Sequence, residues 1–209
     1  MDVLRYIGAV TRRLETREVE GKPARVAHAT CAYDTDADDL WDALTNADRI
    51  PRWFMPITGE LRVGGRYQLQ GNAGGVVKAC DPPKRFEITW EMGPQVSWVN
   101  VTLTPRSDGG TTLHLEHIAH VPPEFWDQYG PGAVGVGWDL ALMGLGEHTR
   151  SGGATVDPSN AMAWMASEEG REFIRQSSEA WGEASIAGGT DAEAARAAVT
   201  RTTAFYTGA

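Results

Sequence analysis

The spacing of apolar positions changes period along the chain, and each change predicts an element. After the polar hinge Glu20-Gly21-Lys22-Pro23, the β-prone run Ala24 to Tyr33 reads as a strand, with residues 11–19 as its hairpin partner. Ala37, Leu40, Trp41 and Leu44 then recur at i, i+3, i+4 and i+7. That is one apolar stripe on a short helix, which Thr35 or Asp36 can cap and Asn46 stops. A second short helical piece carries Ile50, Trp53 and Phe54. From Gly59 the period becomes two, with turn signals at Gly64-Gly65, Asn72 to Gly75, Pro82-Pro83, Gly93-Pro94 and Asp108-Gly109-Gly110. This punctuation predicts an antiparallel meander of about six strands.

Within the meander the alternation assigns faces. Phe86, Ile88, Trp90 and Met92 point one way, and Glu87, Thr89 and Glu91 the other. Val99, Val101 and Leu103 agree on the next strand, and Leu113, Leu115 and His117 on the one after, so His117 is an imidazole expected on the apolar face. Trp98 falls by parity on the outer face with Asn100 and Thr102, which predicts that the C-terminal tail or a second subunit covers it.

Pro122-Pro123 ends the sheet. Glu124 to about Thr149 predicts a long helix across it, with Trp138, Ala141, Leu142 and Leu145 at i, i+3, i+4 and i+7. Residues 150–155 have linker composition, and Asp157-Pro158 is a cap with proline at the first helical position. The helical tail beyond it breaks at Gly188-Gly189 and restarts at a capping-box pattern, Thr190-Asp191-Ala192-Glu193. It carries Trp164, Phe173, Ile174 and Trp181, and so has apolar surface to bury on the domain or in a homodimer. The expected division is a domain over 1–150 and a helical extension over 151–209.

Composition narrows the function classes. In 209 residues, 42% hydrophobic and 9% aromatic content is enough for a core. A net charge of −9, with the basic residues scattered, leaves no electrostatic footprint for nucleic acid or an anionic membrane. No window approaches eighteen apolar residues and the N-terminus fits no signal peptide, so a soluble, cytoplasmic protein is expected. Cys31 and Cys80 form no disulfide framework and have no C-x-x-C spacing. The eight tryptophans ask for a core or cavity rich in large rings.

The local wording carries a resemblance. Asp39-Leu-Trp-Asp-Ala-Leu-Thr-Asn46, Ile50-Pro-Arg-Trp-Phe54, Gly59-Glu-Leu-Arg-Val-Gly-Gly-Arg-Tyr67 and Pro83-Lys-Arg-Phe-Glu-Ile-Thr-Trp90 come in collinear order. Val101-Thr-Leu-Thr-Pro105, Gly110-Thr-Thr-Leu-His-Leu-Glu-His117 and Gly137-Trp-Asp-Leu-Ala-Leu142 follow. Over about residues 24–149 the chain resembles bacterial proteins similar to the C-terminal domain of the activator of Hsp90 ATPase, within the START/Bet v 1-like (SRPBCC) superfamily. The resemblance implies an α+β helix-grip fold, a curved antiparallel sheet of six or seven strands on a long C-terminal helix. It also implies a cavity between them for a small apolar molecule. The alternatives it brings are a cyclase- or hydrolase-type enzyme using that cavity and a chaperone-linked interaction module; no cofactor is expected.

Trp53, Phe54, Tyr67, Trp90, Trp126, Tyr129 and Trp138 are the rings expected to reach such a cavity, each with simple core packing as the alternative. His117 is read as a ligand contact or general base, or as a satisfied core histidine. His114, Glu116 and His120 share the opposite face by parity, where a solvated strand is a better reading than a metal site, and no metal is expected. Gly130-Pro-Gly-Ala-Val-Gly135 matches G-x-G-x-x-G literally, but no preceding strand or βαβ unit accompanies it, so a dinucleotide site is rejected. Those glycines suit either a bending lid at the cavity mouth or close packing on the sheet.

Overall fold

A computed structural model describes residues 3–155 and 158–208. Helix α1 (Val3–Ala9) runs into strand β1 (Val10–Val19), which turns through Glu20 and Gly21 into β2 (Lys22–Tyr33). Both turn residues have positive φ, 51° and 72°, the twist that a two-residue hairpin needs. Helix α2 (Ala37–Thr45) is capped by the Asp36 carboxylate, which accepts from the Asp39 N–H, and a single 3-10 turn covers Ile50–Arg52. Six strands follow: β3 (Ile57–Gly59), β4 (Arg66–Leu69), β5 (Gly74–Asp81), β6 (Arg85–Met92), β7 (Gln95–Pro105) and β8 (Thr111–Ala119).

Among the described residues these make one antiparallel sheet of eight strands in the order β1-β2-β8-β7-β6-β5-β4-β3. The fold is the expected α+β helix-grip, with eight strands instead of six or seven because both arms of the N-terminal hairpin join the sheet. Alternation holds through its centre: Val99, Val101, Leu103, Leu113, Leu115 and His117 are all buried. Met92 departs from it, lying half exposed where the β6–β7 hairpin leaves the core.

The long helix expected from Glu124 onward is two helices. Gly130, at φ 56°, and Pro131 separate α3 (Pro123–Tyr129) from α4 (Gly132–Arg150), since proline cannot supply the N–H that continues a helix. Only α4 lies across the sheet. Its apolar face, Trp138, Ala141, Leu142 and Leu145, is the expected one and turns toward the inward strand residues.

The tail comprises α5 (Pro158–Ala166), α6 (Glu168–Ala187) and α7 (Ala192–Thr207); Asp157, the expected cap of α5, lies outside the described residues. The cap of α7 sits one residue later than expected. Asp191 accepts from the Glu193 and Ala194 N–H groups, and Thr190 bonds to Ser185 instead. Helix α6 packs on α4 and β1, burying Phe173, Ile174 and Trp181. The Trp181 ring lies flat against Gly135 of α4, where any Cβ would come within 2.4 Å of it. Beside it, Oδ2 of the buried Asp139 accepts from Arg12 Nε and Nη2 at 3.1 and 2.9 Å, from Trp181 Nε1 at 3.1 Å and from the Ser177 hydroxyl. Burial raises the Asp139 carboxyl despite these donors, and its Oδ1 has no partner among the described residues.

The tail alternative for Trp98 is corrected: among the described residues it packs on its own sheet and not on the tail. Trp98 is half buried within its own sheet, against Val19, Ala24, Val26 and Ile118, and the His120 ring stands edge-on to it at 5.5 Å. Its neighbours are same-face side chains of the adjoining strands β8 and β2.

Candidate functional site

The space between sheet and α4 is not filled by side chains. It forms a pocket of about 350 Å³, within the range of small-molecule sites. The sheet supplies its floor through Tyr67, Leu69, Phe86, Ile88, Trp90, Val101 and Leu115, by the period-two rule that sends these residues to one side. Helix α2 and the turn after it supply one wall with Trp41, Leu44, Ile50, Trp53 and Phe54. Helix α4 supplies the other with Trp138, Ala141, Leu142 and Leu145. Gly144 lets α4 approach this turn, since a Cβ there would lie 2.7 Å from the Trp53 carbonyl oxygen.

The polar groups on the wall are largely committed inside the protein. Trp53 Nε1 donates to the Ala43 carbonyl at 2.9 Å and stacks on Phe54 at 5.3 Å. The Tyr67 hydroxyl donates to the Thr89 carbonyl at 2.7 Å, and burial raises its pKa. The Thr45 hydroxyl donates to the Trp41 carbonyl at 2.8 Å. Cys80 contributes a thiol, raised by burial and by Asp81, so it is no ready nucleophile. What remains for a guest is chiefly ring faces and methyl groups. Trp90 and Trp138 meet at 5.1 Å, and Phe86 stands edge-on to Trp41 at 5.9 Å.

His117 is buried one layer behind that wall. Trp138 Nε1 donates to its Nδ1 at 2.9 Å, which leaves the proton of the neutral ring on Nε2, 2.9 Å from Ser97 Oγ. Ser97 in turn donates to the Trp90 carbonyl at 3.1 Å. A second ring proton would point Nδ1–H at the indole N–H, and burial lowers the His117 pKa to about 4. The imidazole is therefore a neutral acceptor that fixes the Trp138 ring as a wall.

Five of the expected site residues, Trp53, Phe54, Tyr67, Trp90 and Trp138, come together on the pocket. Trp126 and Tyr129 do not. They sit on α3, beyond the break at Gly130–Pro131, and line a separate recess with residues of α6 and α7. There the Arg25 guanidinium lies 4.5 Å from the Trp126 ring centroid, and Arg201 donates to the Asp127 and Gln128 carbonyls. Helix α3 is thus docked on α7, not poised as a lid over the pocket. Sequence reasoning missed Trp41 as a lining residue, although it stood in the α2 stripe. It also missed Ile50, Leu61 and Cys80, which carry no periodic signal.

On the outer face, His28 joins His114 and Glu116, with ligand atoms within 4.8 Å of one another. His28 Nδ1 and His114 Nε2 are 3.1 Å apart, and Arg13 donates to His28 Nε2 at 2.9 Å. That donation places the His28 proton on Nδ1, directed at His114, where a metal would require a lone pair. Arg17 pairs with Glu116 at 3.0 Å. The group is a polar ladder across β1, β2 and β8.

Residues 34–149 match the profile of the activator of Hsp90 ATPase homolog 1-like proteins. Among solved structures, the solution structure of CalU16 from Micromonospora echinospora is 35% identical, with a TM-score of 0.72, and the alignment covers 86% of this chain and 97% of that one. Its crystal structure gives 32% identity and a TM-score of 0.67, covering 87% and 99%. MLL2253 from Mesorhizobium loti is 25% identical with a TM-score of 0.55, covering 61% of this chain and 98% of that one. No curated protein matches the chain. Among the described residues no helix is long and apolar enough to cross a membrane.

Proposed function

Because the chain belongs to the activator of Hsp90 ATPase homolog 1-like family, whose helix-grip fold is typical of ligand-binding domains, we propose that it binds a small apolar, ring-bearing molecule between the sheet and α4. One observation carries this reading: an unfilled pocket walled by aromatic faces, with the Trp53, Tyr67 and Trp138 donors already bonded within the protein. Such a wall recognises shape and apolar surface, and it would leave a strongly polar guest unpaired. Trp138, held by His117, orients the guest by its ring face.

Catalysis has less support. A proton-moving group would have to touch the guest, and His117 stands behind Trp138 as a neutral acceptor.

The test is a titration with the uncharged fluorophore N-phenyl-1-naphthylamine. Saturable binding, with energy transfer from tryptophan and loss of signal when small aromatic compounds compete, is the expected result. A signal that rises linearly with dye and is indifferent to Trp138→Ala would overturn the reading.

A further inference from the structure

The recess that takes Trp126 and Tyr129 has a different chemistry from the pocket under the sheet. It encloses about 290 Å³ between α3, α6 and α7, and polar atoms dominate its surface. Two of its features have no partner among the described residues. The N-terminus of the nineteen-residue α4 opens onto it at Gly132, and no side chain caps that end. Its free N–H groups and the helix dipole give it a partial positive charge. Ser178, 1% exposed, is part of the same lining, and its hydroxyl makes no hydrogen bond among the described residues. A buried hydroxyl left unpaired is costly, so Ser178 is a group that a polar guest would satisfy.

The rim adds charge. Arg25, spread over the Trp126 ring, forms no ion pair among the described residues and donates only to Thr16 Oγ1, at 3.1 Å. Asp127, also on the rim, opposes it in part, so the selecting groups lie deeper. Gly182 lets α6 and α7 close on each other at the base of the recess, since a Cβ on it would come within 2.3 Å of Val199 Cγ2.

We propose that this recess is a second binding site, for a small carboxylate or phosphate anion held by the N-terminus of α4 and the Ser178 hydroxyl, with Arg25 at the mouth. Helix N-termini bind both anions through the same N–H geometry. The site is separate from the apolar pocket and does not depend on what that pocket binds.

Titration of the full chain with inorganic phosphate and, in a parallel arm, with succinate, followed by amide shifts in a 1H–15N spectrum at constant ionic strength, tests it. Saturable shifts at Gly132, Ser178 and Gly182 with either anion are expected, and the tighter arm identifies the class of ligand. Ser178→Ala, which conserves shape, should weaken binding by about tenfold, the weight of one hydrogen bond to a charged group. Asp127→Asn, on the exposed rim, should tighten it several-fold. Absence of saturation in both arms, or shifts that neither substitution alters, would overturn the proposal. So would a crystal grown in phosphate that shows only water on Ser178.

Discussion

The two sides of α4 were built for different ends. Toward the tail, Gly135 admits the Trp181 ring to contact, and Asp139 gathers Arg12, Ser177 and Trp181 around one oxygen, leaving that side filled and cross-linked. Toward the sheet, about two turns of the same helix present Trp138, Ala141, Leu142 and Leu145 to empty space. Protein interiors are normally close-packed, and an apolar void forgoes the dispersion contacts of its lining. A fold that spends buried charge and a tryptophan to secure one side of a helix, and leaves the other unfilled, separates the part that holds the structure from the part that receives a guest.

The contrast breaks most visibly on the tail side. Trp181→Ala should cost about 3–5 kcal/mol in a urea unfolding experiment, as for other fully buried large rings. Arg12→Met should cost a similar amount, about 3–5 kcal/mol, by stranding the Asp139 carboxylate. Adding Asp139→Leu to it should restore most of that loss, because the buried ion pair is tolerated more than it is stabilising. An additive double variant would show that Arg12 and Asp139 do not act as one unit.

The pocket side should respond to pH through His117. The unfolded ring titrates near 6.5 and the folded one near 4, so the unfolded chain binds more protons between these values. Stability is complete above about pH 6.5 and falls as pH drops toward 4, by about 3 kcal/mol in all. Asp139, raised by burial, works in the opposite sense, so the informative quantity is the difference between the wild-type protein and His117→Gln. The glutamine variant should lack the decline; an identical acid limb in both would remove His117 from the account.

The smallest effect is of opposite sign and sharpens the comparison most. Ala141→Leu places three carbons in the void and should stabilise the protein by about 1–2 kcal/mol, at about 0.8 kcal/mol per buried methylene less some strain. The same substitution should abolish binding of the naphthylamine probe. Destabilisation would mean that the pocket has no room.

Much of this architecture was legible in the sequence, because it is local. Period-two alternation placed Phe86, Ile88 and Trp90 on the pocket floor, and the i, i+3, i+4, i+7 stripe of α4 identified its wall. The errors came where tertiary partners decide. Gly130-Pro131 was a visible break, yet the apolar count across it suggested a single helix, and Trp126 and Tyr129 were carried to the wrong site with it. Trp98 asks for the tail or a second subunit as its cover when read by parity alone, because nothing local shows that Ile118 and Val26 flank it across β8 and β2. Asp139 stood as one charge in an apolar run, a signal of a buried partner, but Arg12 lies 127 residues away and no spacing rule links them. His117 was correctly placed inward; that it serves Trp138 could be read only from the packed structure.

The most direct test of an unfilled, receptive face is a crystal of the full chain equilibrated with naphthalene. Density for one ring system is expected between Trp90, Trp138 and Ala141, with α6 and the Asp139 cluster unmoved. A pocket that stays empty or collapses under Trp138, or naphthalene lodged instead between α4 and the tail, would contradict it.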